Sequence, residues 1–229
     1  MKSKILNLKK KEEQVKFPLI EILAPIDCGK TPIAKLVARK LSGYYFSFPV
    51  LDPQSMTGRI LLTSLVNNVE AIEAQPHWWS HIYAAHLYEQ KEKLESLLEE
   101  GPVVVTNYTL AYRAWMNSLG LDMTTNLAAF TQNLPKVNLA IALNSYIQFP
   151  STQPKFNFSF NLKNRISSSI QKLADSRVYK VRNEDVDAPY LFQRANKLCS
   201  RIAALAALRY NLEVDEKCFY DKNSFGGKN

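Results

Sequence analysis

With 229 residues, 46% of them hydrophobic and 22% charged, the chain is long enough for one well-buried α/β domain and short for two. No run approaches the roughly 20 consecutive apolar residues that a spanning helix needs, which argues against a membrane protein. Cys28, Cys199 and Cys218 are odd in number and lack CxxC spacing, which speaks against a zinc cluster and a disulfide framework and fits a reducing compartment, cytoplasmic or otherwise intracellular; the net charge of +8 fits nucleic acid or a nucleotide alike.

Residues 1–16 form a basic arm with Lys2, Lys4, Lys9, Lys10, Lys11 and Lys16, lacking the apolar segment of a secretory signal and read as solvated. Phe17 to Leu23 is a short apolar, β-branched run, hence a strand, and Ala24 to Gly29 is turn material. Ile33, Leu36, Val37 and Leu41 then recur at helical spacing until Ser42-Gly43. Tyr44 to Val50 reads as a second strand, Gly58 to Val69 as a helix, and Trp78 to Glu100 as the longest helix of the chain, broken by Gly101-Pro102. Val103 to Thr106 and Val137 to Leu143 read as strands buried on both faces. Between Gln148 and Lys163, the alternating Phe156, Phe158 and Phe160 predict either a half-buried edge strand or a mobile loop. Ser167 to Ala174 reads as a short helix, Arg177 to Val181 as the last strand, Leu191 to Leu212 as a strong helix, and 216–229 as a polar tail. This alternation predicts an α/β fold of three layers, a mainly parallel five-stranded sheet with helices on both faces, in a single domain over 17–215.

Ala24-Pro-Ile-Asp-Cys-Gly-Lys-Thr31 lies between the first strand and the first helix, the context in which [Ala/Gly]-x4-Gly-Lys-[Ser/Thr] acts as a phosphate loop. Backbone N–H groups at Ala24, Cys28, Gly29, Lys30 and Thr31 would face a triphosphate at a helix N-terminus, where the dipole favours negative charge. Lys30 would reach the terminal phosphates, Thr31 would offer its hydroxyl to Mg²⁺, and Asp27 is the loop's carboxylate. Pro25 and Pro32 lack an N–H, which removes donors from the cradle. Cys28 reads as a small spacer in preference to a reactive thiol.

Several later segments occur in an order and spacing that resemble thymidylate kinases. These are Phe48-Pro49 with Thr57-Gly58, Tyr88-Glu89-Gln90-Lys91-Glu92-Lys93, Val103-Val-Val-Thr-Asn-Tyr108, and Leu134-Pro-Lys-Val-Asn-Leu139. The resemblance spans about residues 17 to 145 and fades through a lid region at about 146–166. It implies the nucleoside monophosphate kinase fold, ATP and Mg²⁺ as cofactors, and γ-phosphoryl transfer to dTMP or a related nucleotide. It also implies a catalytic role for Lys30 and an acceptor site around Phe48, Tyr83, Asn107 and Tyr108, and Asp27, one place after the family's loop aspartate, is the catalytic carboxylate candidate of this chain. The chain departs from the family where anions are handled. Leu23, Ala24 and Ile26 replace a glutamate, a glycine and an aspartate; Leu87 and Asn107 replace arginines, and Ser47 stands where an arginine often precedes Phe-Pro. Arg59, Arg113, Lys155, Lys163 and Arg165 are the cations available as substitutes.

Two functions follow: an ATP-dependent nucleoside monophosphate kinase, or a homologue that has lost catalysis and serves as a binding or structural subunit, as a homodimer or docked in a larger assembly through the basic arm. Nucleic-acid binding by Lys9-Lys10-Lys11 stands third. His77, His81 and His86 read as ordinary partly buried histidines in preference to metal ligands.

Overall fold

In a computed structural model, residues 17–25, 28–49, 55–67, 69–121, 131–143, 159–173, 178–181 and 191–218 are described. The basic arm, Asp27, Lys155, most of the expected lid and the end of the tail lie outside them. Along the chain run β1 (Leu19–Leu23), α1 (Lys30–Lys40), β2 (Tyr44–Ser47), α2 (Met56–Asn67), α3 (Val69–Ala74), α4 (Pro76–Glu89) and α5 (Lys91–Glu100). They are followed by β3 (Val103–Thr106), α6 (Thr109–Ser118), β4 (Leu139–Leu143), α7 (Phe160–Lys172), β5 (Val178–Val181) and α8 (Leu191–Tyr210).

The five strands form one sheet in the order β2-β3-β1-β4-β5, every pairing parallel. Parallel strands need crossovers, and the helices supply them while covering both faces, so the three-layer α/β expectation holds. Strand alternation divides the core in two. Leu19, Leu23, Val103, Val105, Ala140 and Ala142 join a layer with α2 to α7. Ile20, Ile22, Val104, Leu139, Ile141 and Leu143 join a layer with α1 and α8. Gly43 lets the chain turn closely from α1 into β2: a Cβ there would overlap the Pro102 carbonyl oxygen, to which Tyr44 N donates at 2.9 Å.

Three expectations need correction. Trp78 to Glu100 is two helices, α4 and α5, interrupted at Gln90; that residue donates its N–H to His86 and accepts from Leu94, so the pattern continues across a single non-helical residue. Among the described residues the longest helix is α8, of 20 residues. Phe160 to Lys163 is the first turn of α7, neither strand nor loop: Ser159 caps it by accepting from Leu162 N at 3.2 Å, and Leu162, Ile166 and Ile170 bury a stripe at spacing four. The Phe160 ring itself is exposed, so the alternation of aromatics did not report a buried face.

Candidate functional site

The described residues of the expected phosphate loop stand where a ligand site of an α/β sheet is expected, beyond the carboxyl end of the middle strand. Ala24 and Cys28 are buried in the α1 layer. Gly29 precedes α1 with φ 69° and ψ 22°, left-handed values that disfavour a Cβ, which is why a glycine is needed there. Lys30 and Thr31 are the first two residues of α1 and both are partly exposed. Pro32 falls at the third helical position, where the missing N–H removes no intrahelical bond. The helix is then held by Ile33, Ala34, Leu36, Val37 and Ala38, buried against the sheet and α8.

On the opposite face of the sheet the expected acceptor residues come together from three distant segments. Asn107 has φ 57°, and its side-chain amide donates to the Phe48 carbonyl at 2.8 Å. The Tyr83 hydroxyl donates to the Asn107 carbonyl. The Phe48 and Tyr108 rings lie 5.2 Å apart, both fully buried, and the Tyr108 hydroxyl donates to Pro135 O at 3.0 Å. Tyr83 stacks on Tyr112 at 5.2 Å and 14°, so one face of its ring is covered by the protein. Burial, with the negative charge of Glu21 nearby, pushes both the Tyr83 and Tyr108 hydroxyls well above the usual phenol range, which keeps them as neutral donors.

Glu21, in the middle of β1, was not singled out from sequence. Its fully buried carboxylate accepts from Tyr108 N at 2.9 Å, Leu110 N at 3.0 Å and Ala111 N at 2.9 Å. It therefore occupies the N-terminus of α6, where the orphan donors and the dipole favour an anion. A lone carboxylate in Leu-Ile-Glu-Ile-Leu, an otherwise apolar strand, is the signal that marks it. A second polar cluster escaped notice as well. Thr57 donates to Glu89 and meets His86 Nδ1 at 2.9 Å, with Ser55 at 3.4 Å from the same nitrogen. His86 is fully buried, and its ring lies edge-on to Phe48 at 6.0 Å.

Where the resemblance led to an expectation of arginines, none of the three residues present is a cation. Leu87 is buried in the core, the Asn107 amide is engaged with Phe48, and Ser47 accepts from Thr106 at 3.3 Å. Of the cations named as substitutes, Arg59 and Arg113 are exposed, and Arg165 pairs with Glu73 at 2.9 Å, both lining an open groove of about 850 Å³ between α3 and α7. A Mg²⁺ bound at the loop would take oxygen ligands, and Thr31 offers one. No helix among the described residues is long and apolar enough to cross a membrane.

No family model and no curated relative matches the chain by sequence. Solved structures do match. The thymidylate kinase of Candida albicans aligns with 87% of this chain and 96% of its own at 17% identity, with a TM-score of 0.65. That of Ehrlichia chaffeensis aligns with 82% of this chain and 97% of its own at 12% identity, with a TM-score of 0.59. A glycine-lysine-threonine turn at the end of the middle strand, an aromatic cluster across the sheet and a backbone that follows these enzymes nearly end to end lead to one conclusion: the chain has the thymidylate kinase fold, at a sequence identity of 12–17%.

Proposed function

We propose that the protein binds nucleotides in the manner of a thymidylate kinase, with a nucleoside triphosphate such as ATP at Ala24–Thr31 and an acceptor nucleotide at Phe48, Tyr83, Asn107 and Tyr108. The observation that carries this reading is left-handed Gly29 opening α1 at the carboxyl end of the middle strand, with Lys30 and Thr31 next in the helix. Backbone N–H groups and a lysine there suit a triphosphate whatever the acceptor. With dTMP or a relative as acceptor, the reaction is transfer of the terminal phosphoryl group. Lys30 stabilises charge on the transferred group, Asp27 is the loop carboxylate, and Mg²⁺ supplies charge neutralisation when bound near Thr31.

A second reading, a nucleotide-binding subunit without catalysis, is favoured by the acceptor side. Phosphoryl transfer depends on cations set against developing charge, and a bidentate arginine cannot be replaced by a buried leucine or by an amide already donating to Phe48. Thermal unfolding with ATP·Mg²⁺ and, separately, dTMP tests both readings, because a ligand of the folded state raises its stability. ATP should raise the midpoint in the wild type and not in Lys30→Ala; no shift with either ligand removes the nucleotide reading. ADP formed from ATP and dTMP supports the kinase, and shifts without ADP support the binding subunit.

A further inference from the structure

We propose that the phosphate loop takes its triphosphate with little assistance from a divalent cation; this rests on the nucleotide reading above. Phosphate-loop proteins hold Mg²⁺ with the loop hydroxyl and a carboxylate from a nearby strand, because Mg²⁺ gives up water reluctantly and favours charged oxygen. In this chain β1 and β3 are neighbours with Ile22 opposite Thr106, and the residues that face the α1 layer are Ile20, Ile22, Val104 and Thr106. None is a carboxylate. The Thr106 hydroxyl lies 3.2 Å from the Tyr45 hydroxyl and donates to Ser47, making a partly buried cluster of neutral oxygens. The charge packed on that cluster is positive: Lys35 Nζ stands 5.6 Å from the centre of the Tyr45 ring.

The carboxylate that β1 does carry is one residue out of step. Side chains alternate faces along a strand, so Glu21 points into the α6 layer while Ile20 and Ile22 face α1. There three backbone N–H groups hold it at 2.9–3.0 Å, and turning it toward the loop would strand those donors in the core. Phosphate charge is thus met by the α1 N-terminus and Lys30. Asp27 is the one loop carboxylate, and the test includes it.

Calorimetric titration of the full chain with ATP, in excess MgCl₂ and in EDTA, decides the matter. The expected result is a pair of dissociation constants within about fivefold, roughly 1 kcal/mol, with Lys30→Ala abolishing binding in both buffers and the ratio of the two constants staying within that range in Asp27→Asn. Thr106→Asp places a carboxylate on the α1 side and should make binding Mg²⁺-dependent; where that variant melts early, the wild-type pair of titrations and Asp27→Asn still decide. Tightening by Mg²⁺ beyond fivefold, or its loss in Asp27→Asn, overturns the proposal and leaves the nucleotide reading standing. Absence of binding in both buffers overturns the nucleotide reading, and the proposal falls with it.

Discussion

Burial lowers the pKa of His86 to about 4, against the opposing pull of the Glu89 charge, so the folded protein holds this imidazole neutral. An unfolded histidine titrates near 6.5, and the unfolded state therefore binds the extra proton first as pH falls. Stability should be constant above about pH 6.5 and decline through pH 4 by up to about 3 kcal/mol, and His86→Gln should flatten that slope in denaturant titrations at several pH values. Glu89 acts in a lower window. Although partial burial would raise its pKa, hydrogen bonds from Thr57 and Ser55 and the His86 charge bring it below the usual carboxylate range, so its contribution is lost only as pH falls below about 4.5. The sequence showed His86 as a histidine on a helix and no more, because its partners Ser55 and Thr57 lie about 30 residues away, before and within the start of α2.

Glu21 belongs to the same scale. Glu21→Ala would leave three buried N–H groups of α6 without an acceptor, and the expected loss is about 3–5 kcal/mol, read as a lower denaturant midpoint. Because one of those contacts holds Tyr108, the residue next to Asn107, acceptor binding should weaken while the ATP-induced thermal shift remains. A variant that loses stability without that selective loss would mark Glu21 as a support of the core alone.

Elements were legible where periodicity was clean. β1, α1, β3, β4 and α8 have the apolar spacing that sequence analysis reads, and each lies within a few residues of its expected place. The failures have local causes. α6 went unread because Leu110, Ala111, Tyr112, Ala114 and Met116 bury a broad face that lacks a sparse helical stripe. The start of α7 was hidden by phenylalanines at alternate positions, of which Phe160 turned out to be exposed. The Gly43 turn between α1 and β2 is a tight element junction, and Gly43→Ala should cost about 1–3 kcal/mol by forcing the Pro102 carbonyl aside, visible as a fall in melting temperature. Gly120→Ala is the control, since its neighbourhood is open and only the left-handed φ of 79° opposes the change, at about 1 kcal/mol.

At the scale of the whole molecule, a parallel sheet with helices on both faces follows from alternating strands and helices, and the solved thymidylate kinases share it at 12–17% identity. Sequence by itself determined the strand–loop–helix order, Gly29-Lys30-Thr31 at its turn and the apolar strands, because each is written in neighbouring residues through backbone conformation and side-chain period. Only the tertiary structure decided which face Glu21 takes, that Asn107 is committed to Phe48, and that Leu87 lies in the core. The strand order β2-β3-β1-β4-β5 sets Glu21 against Tyr108, 87 residues away, and no local rule selects a partner at that separation.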